Sequence, residues 1–314
     1  MINIIKILFA HFLNSFHTSR ILTKDLKINK FINIFFIRFF FSIPLFRNFL
    51  KHSTERIARG QEQNFFTKNI DSNLIAENIK IKGYNDDLSL NKKTLEKIFE
   101  EFKKKNFFFD SKNNQEIFLY NKKNSSFEDI LKKSLECKIP LITLNFILKK
   151  DSILKKIATS SIFYNIARNY LNSEKLTINT HCFISHPLEI NEQVKKKNAQ
   201  YFHYDCDYKK FLKIFVYLTD VDKNSGPHCF VEGTHIKKQF KHILAKRIDD
   251  NEILNSYPTK DYREFIKPKG SIIFEDTFGL HKGSFPKKKS RAVLIFEYGV
   301  GERIQYVGNE FLTN

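Results

Sequence analysis

From about residue 175 the chain breaks into short runs of strand-forming residues, and no other feature limits its fold as strongly. LTINTHCFIS (176–185), FLKIFVYLTDV (211–221), CFVEG (229–233), GSIIFED (270–276) and RAVLIFEYGV (291–300) are rich in β-branched and aromatic residues. Each is set off by Gly, Pro, Asn or Asp, the pattern of a β-sandwich or barrel. Glycine agrees with this placement. Eight of the ten glycines lie after residue 225, where tight turns and close backbone approaches are needed.

Upstream the periodicity is helical. Residues 61–90 are polar and read as loop. Ser89 is placed to cap a helix over LNKKTLEKIFEEFKKK, with Leu95, Ile98, Phe99 and Phe102 at helical spacing. Ser126 is placed to start FEDILKKSLE, and residues 151–172 read as helical with Ile153, Leu154, Ile157, Ile162, Ile166, Ala167 and Tyr170 on one side. The expected fold class is therefore mainly β with flanking helices (α+β), with a jelly-roll core and helices packed outside it. The expected organisation is a basic, Phe-rich helical leader over 1–60 and one domain over 61–314. The helical part of that domain covers about 88–172 and its β core about 175–300.

Composition excludes collagen, coiled coil and a disulfide scaffold. The four cysteines, Cys137, Cys182, Cys206 and Cys229, show no CxxC spacing and are expected as reduced thiols in a cytoplasmic protein. The formal net charge of +19 implies attraction to anions. The absence of Trp and the abundance of Lys, Asn, Ile and Phe suggest an AT-rich genome, so many lysines are read as codon supply. Residues 1–60 carry a local charge of +8. The apolar run at 31–50 is interrupted by Asn33, Arg38, Pro44 and Arg47, and a central Arg costs roughly 2.5–3.5 kcal/mol on insertion scales. A helix packed on the protein or lying in an anionic membrane interface fits this segment better than a span. No small-residue cleavage site follows the N-terminal apolar patch.

Chemistry concentrates in AQYFHYDCD (199–207). On an extended strand His203 and Asp205 point to one face and form a metal half-site. His281, after the glycine turn of GSIIFEDTFGLHKGS, offers a third donor. Two imidazoles and one carboxylate make the facial triad of non-haem Fe(II) oxygenases. Taken singly, a strand histidine is more often just hydrogen-bonded. Arg291, ten residues after His281, opens a strand and can grip a carboxylate bidentately. That is the group an iron oxygenase needs for the far carboxylate of 2-oxoglutarate.

The order HxD, NSGPHCFVEGTH (224–235), KGSIIFEDTFGLHKGS and Arg291 resembles the phytanoyl-CoA dioxygenase family. The resemblance covers residues 175–300 and extends weakly back to about 90. It implies a double-stranded β-helix (jelly-roll, cupin-like) core. It also implies Fe(II) held by His203, Asp205 and His281, and 2-oxoglutarate as cosubstrate anchored by Arg291. Gly226, Gly233 and His235 match the turn and strand edge. The chain departs from the family at Ser225, inserted in the turn, at Glu232 in place of Pro, and at Phe215 in place of Trp. Related halogenases carry Ala or Gly at the carboxylate position, so Asp205 implies hydroxylation.

Gln200, Tyr201, Phe215 and His181 are candidates to line the pocket. His228 and His235 are read as structural. Lys287–Lys289 form a solvated charge run, with attraction of an anionic substrate as the sharper reading. The expected partners are O2 and a small-molecule substrate, anionic or carrier-bound. Peripheral membrane contact would run through residues 1–60, and no specific nucleic-acid binding is expected. The competing reading is a catalytically silent jelly-roll binding protein acting at an anionic surface.

Overall fold

The computed structural model describes residues 64–104, 107–111, 116–120, 126–197, 199–244, 247–301 and 303. The leader expected over 1–60 lies outside the described residues. Eleven strands are described: β1 (Tyr84–Ser89), β2 (Phe107–Ser111), β3 (Glu116–Tyr120), β4 (Leu141–Phe146), β5 (Thr177–Ser185), β6 (Phe211–Tyr217), β7 (His228–Val231), β8 (Tyr262–Phe265), β9 (Ser271–Glu275), β10 (His281–Gly283) and β11 (Arg291–Gly299). The large sheet runs β1-β9-β6-β11-β5-β4, the small one β10-β7-β8, and β2 pairs with β3.

Period-two alternation explains why the central strands are buried on both sides. On β6, Leu212, Ile214 and Val216 face the helices, while Phe215 and Tyr217 face the small sheet. On β11, Ala292, Leu294, Phe296 and Tyr298 join the helical core, while Val293 and Ile295 join the inner one. Between the sheets, Phe215, Tyr217, Ile273, Val293 and Ile295 meet Phe230 and Phe265. Fully burying such a side chain stabilises by roughly 1.5–3 kcal/mol. From β5 onward the chain shuttles between sheets. β5 and β6 are in the large one, β7 and β8 in the small, β9 in the large, β10 in the small and β11 in the large. A bridge between His203 and His281 adds the segment around residue 203 to the β10 edge. This is the expected double-stranded β-helix.

Helices cover the outer face of the large sheet: α1 (Ser72–Lys82), α2 (Lys92–Lys103), α3 (Phe127–Glu136), α4 (Ile153–Ala158) and α5 (Ser161–Leu171). Ser126 starts α3 as expected, with a reciprocal capping box to Asp129. Three expectations are corrected. Asn91, not Ser89, caps α2, accepting from the Thr94 amide at 2.9 Å, because Ser89 is held in strand β1 against Ser271. The stretch 151–172 is two helices, since the Ser160 hydroxyl accepts from the Phe163 amide and starts a second one. Residues 61–90 are not loop throughout. They hold α1 and β1, which pairs with β9 through a register shift that the polar string Asn85–Asp87 conceals. The four cysteines are free thiols, and no described helix is long and apolar enough to cross a membrane.

Gly226 illustrates the close approach expected of the late glycines. Its φ is +69°, and a Cβ there would lie 2.3 Å from the Ser284 carbonyl oxygen. Gly226→Ala combines backbone strain with a backbone clash and should destabilise by roughly 2–4 kcal/mol. Urea unfolding checks this, and an unchanged midpoint would show that the turn has room to adjust.

Candidate metal centre

His203 and His281 are held opposite each other by two backbone hydrogen bonds. The His203 amide donates to the His281 carbonyl at 3.0 Å and the reverse bond is 2.9 Å. Paired residues of adjacent strands project to the same side, and the ring centroids lie 4.4 Å apart. Two residues on from His203, the Asp205 amide donates to the Thr277 carbonyl at 2.8 Å. That bond ties its strand to the loop before His281. The sequence thus builds the site by backbone pairing alone, before any ion is considered.

The imidazoles are aimed by their Nδ1 atoms. His203 Nδ1 lies 2.9 Å from the Tyr201 carbonyl oxygen, and His281 Nδ1 lies 3.0 Å from that of Gly279. A carbonyl only accepts, so Nδ1 must donate, and Nε2 is the nitrogen left to ligate. His281 Nε2 is 3.3 Å from Asp205 Oδ2, and His203 Nε2 is 3.7 Å from Asp205 Oδ1. Facial donors on an octahedral ion sit roughly 3 Å apart. The three ligand atoms all lie within 4.8 Å of one another, and no other such cluster occurs among the described residues. Burial and the nearby Arg247 and His281 charges hold His203 well below its ordinary range, in the neutral form a metal requires. Burial raises Asp205, but Lys213 and His281 outweigh it and keep the carboxylate ionised.

Beneath the triad lies a buried charge cluster that sequence reasoning missed. Lys213 Nζ is 2.8 Å from Asp205 Oδ2, 2.6 Å from Asp207 Oδ2 and 3.6 Å from Glu297 Oε1. Arg303 pairs with Glu297 at 2.9 Å. Burial and then the Asp207 charge push Glu297 up to about 8. The alternation of β6 and β11 contained the signal: besides Arg291, Lys213 and Glu297 are the charged residues at inward positions of two otherwise apolar strands.

Arg291 stands at the other end of the same inner surface. It is 7% exposed, and its Nε and Nη1 have no hydrogen-bond partner. A Cβ on Gly283 would lie 2.5 Å from its Nη2, so the guanidinium fills the space that glycine leaves. Gly283 is two residues beyond His281 on β10, roughly 7 Å along the strand.

His228 occupies the interval between them. Its ring centroid is 5.7 Å from that of His281 and 4.6 Å from that of Phe215. Its Nε2 lies 2.9 Å from Glu275 Oε2. His228 is thus structural in its bonding but borders the site. His235 is structural too, with Nε2 3.0 Å from the Lys80 carbonyl oxygen. Among the candidate lining residues, Phe215 packs in the inner core and Gln200 is buried with Oε1 unpartnered. His181 is buried, and burial with the Lys213 charge pushes it down to about 3. Tyr201 differs from expectation. Its phenol hydrogen-bonds Glu192 at the surface, and its contribution to the site is the main-chain carbonyl. Lys289 is paired with Asp222 at 2.6 Å, and the amides of Lys287–Lys289 all donate to the Asn224 carbonyl.

No family model matches the chain, and no curated protein matches it. Several solved structures are similar. EvdO2 from Micromonospora carbonacea var. aurantiaca, complexed with 2-oxoglutarate, is 14% identical over 78% of this chain and 96% of its own, with a TM-score of 0.46. SnoN, a non-heme alpha-ketoglutarate-dependent epimerase from nogalamycin biosynthesis, is 14% identical over 72% and 82%, TM-score 0.46. HygX from Streptomyces hygroscopicus, with nickel, 2-oxoglutarate and hygromycin B bound, is 10% identical over 72% and 86%, TM-score 0.46. At this distance the likenesses assign no chemistry to the chain, which rests on its own residues.

Proposed function

We propose that the chain is a non-haem Fe(II)- and 2-oxoglutarate-dependent dioxygenase of the phytanoyl-CoA dioxygenase type, hydroxylating a C–H bond of a small molecule. One observation supports this most: two histidines with Nε2 turned toward a carboxylate share an inner surface with a buried arginine whose Nε and Nη1 lack partners. Either feature alone has a structural reading. Together they support a reading in which a metal and a second carboxylate are held on one inner surface.

With iron(II) and 2-oxoglutarate bound, the centre supplies the oxidation: substrate C–H, 2-oxoglutarate and O2 give substrate C–OH, succinate and CO2. The residues of the chain do the rest. His203, Asp205 and His281 would hold the ion through two imidazole nitrogens and one carboxylate oxygen. The Tyr201 and Gly279 carbonyls fix the tautomers of the two histidines. Arg291 orients the keto acid through its distal carboxylate, and the apolar wall of Phe215, Val293 and Ile295 excludes water.

The test is succinate release from protein, Fe(II) and 2-oxoglutarate across a panel of small acids and carrier-bound acyl groups. Succinate should form only with both Fe(II) and 2-oxoglutarate present and stop on chelation. Protein that binds neither Fe(II) nor 2-oxoglutarate would overturn the reading and favour a silent binding module.

A further inference from the structure

His228 is a polar residue of the inner surface to which the oxygenase reading gives no role. Its position follows from register. On β7 it pairs with Gly283 of β10, as Phe230 pairs with His281, and paired residues of adjacent strands project to the same side. Gly283 has no side chain to fill that side, and the Arg291 guanidinium stands there instead, with Nη2 2.5 Å from where a Cβ would lie. His228 thus has the guanidinium on one flank. On the other, its ring centroid is 5.7 Å from that of His281. Both neighbours bear on it: after burial, the His281 and Arg291 charges do most to lower it.

The ring is turned by what it touches. It lies over Phe215 of β6, with centroids 4.6 Å apart. Its Nε2 meets both oxygens of Glu275 on β9, at 3.0 and 2.9 Å. In the large sheet β6 lies between β9 and β11. The two nitrogens of an imidazole point in widely separated directions. A ring over β6 with Nε2 toward β9 therefore has Nδ1 turned to the β11 side, where Arg291 is. Nδ1 has no hydrogen-bond partner among the described residues, and neither have Nε and Nη1 of Arg291. Two polar groups with unused hydrogen-bonding capacity thus converge from opposite sheets on the space beside Gly283.

We infer that His228 donates through Nδ1 to the same carboxylate that Arg291 receives, so that the distal carboxylate of the keto acid is held from both sheets. This rests on the oxygenase reading and adds a second residue to its cosubstrate site. A carboxylate only accepts, so Nδ1 must carry a hydrogen. Nε2 then accepts from the Glu275 carboxyl or donates to its carboxylate, and either bond fixes the ring. Glu275 is in this sense a positioning residue, acting through His228.

The test uses the full chain with Fe(II) under anaerobic conditions, following the visible charge-transfer band of the Fe(II)–keto acid complex. The protein is titrated with 2-oxoglutarate and with 2-oxopentanoate, which has the same chelating end and chain length but no distal carboxylate. His228→Phe, with circular dichroism as the folding control, should weaken 2-oxoglutarate about 10-fold and leave 2-oxopentanoate within about twofold of wild type. His228→Gln keeps a donor and should recover part of the loss. If His228→Phe does not fold, His228→Asn, too short to reach the carboxylate, takes its place with the same outcomes. Equal weakening of both keto acids would make His228 a packing residue of the metal centre. Unchanged 2-oxoglutarate affinity in the folded variant would leave the carboxylate to Arg291 alone. Either result sinks this inference and leaves the oxygenase reading standing. A wild-type protein that forms a band with neither keto acid removes that reading, and this inference with it.

Discussion

Asp205→Ala should abolish Fe(II)-dependent succinate formation and weaken metal binding by at least roughly 100-fold, beyond the 10–100-fold typical of losing an outer partner. Asp205 is the sole carboxylate in the ligand cluster, so the variant loses both a donor and the charge that favours a divalent ion. The protein should still fold, because Lys213 keeps its 2.6 Å pair with Asp207 and its neighbour Glu297. Titration with Fe(II) followed by calorimetry, with circular dichroism as the folding control, separates the effects. A folded variant that binds Fe(II) like wild type would show that the ion sits elsewhere.

Arg291→Met carries the second large effect, with an unusual sign for an internal residue. In the free protein its Nε and Nη1 are buried without partners, and a buried charge without hydrogen bonds is costly. Methionine fills similar space without that cost, so the urea midpoint without ligands should hold or rise. Affinity for 2-oxoglutarate should fall by roughly 100-fold, about 3 kcal/mol for a lost charge-assisted pair. In wild type, 2-oxoglutarate with Fe(II) should stabilise against urea by mass action, and in the variant this increment should largely vanish. If the unliganded variant is instead strongly destabilised with unchanged cosubstrate affinity, Arg291 is a structural residue and the anchor role is wrong.

Much of the fold was readable because the strands after 175 are hydrophobic on both faces and punctuated by turn residues. The strands that escaped notice are those whose burial is not matched by their composition. Tyr84–Ser89 reads YNDDLS and stays a strand only because β9 pairs with it, and His281–Gly283 is three residues long. The His203–Asp205–His281 cluster was legible because HxD places two donors on one face by local geometry. The place of Arg291 at the start of a strand was legible by spacing. Lys213 and Arg247 were not. Lys213 looks like any lysine in a lysine-rich chain until the sheet turns it inward, and Arg247 reaches the site through a bridge spanning more than forty residues. Tyr201 shows the reverse case, in which nearness in sequence suggested a side-chain role and the backbone carries the contact.

The position of β11 has a consequence for how the protein is made. This strand is the last of the barrel in the chain, yet it lies between β5 and β6 in the large sheet. It pairs with β5 over nine positions more than a hundred residues away. During synthesis the sheet has a gap at its centre until residue 299 has left the ribosome, and pairing at such separation makes folding slow. His281 and Arg291 arrive in the same late stretch. A nascent or truncated chain therefore lacks the full His203–Asp205–His281 cluster and the arginine, and on the proposed reading any metal would be acquired only after completion of the polypeptide.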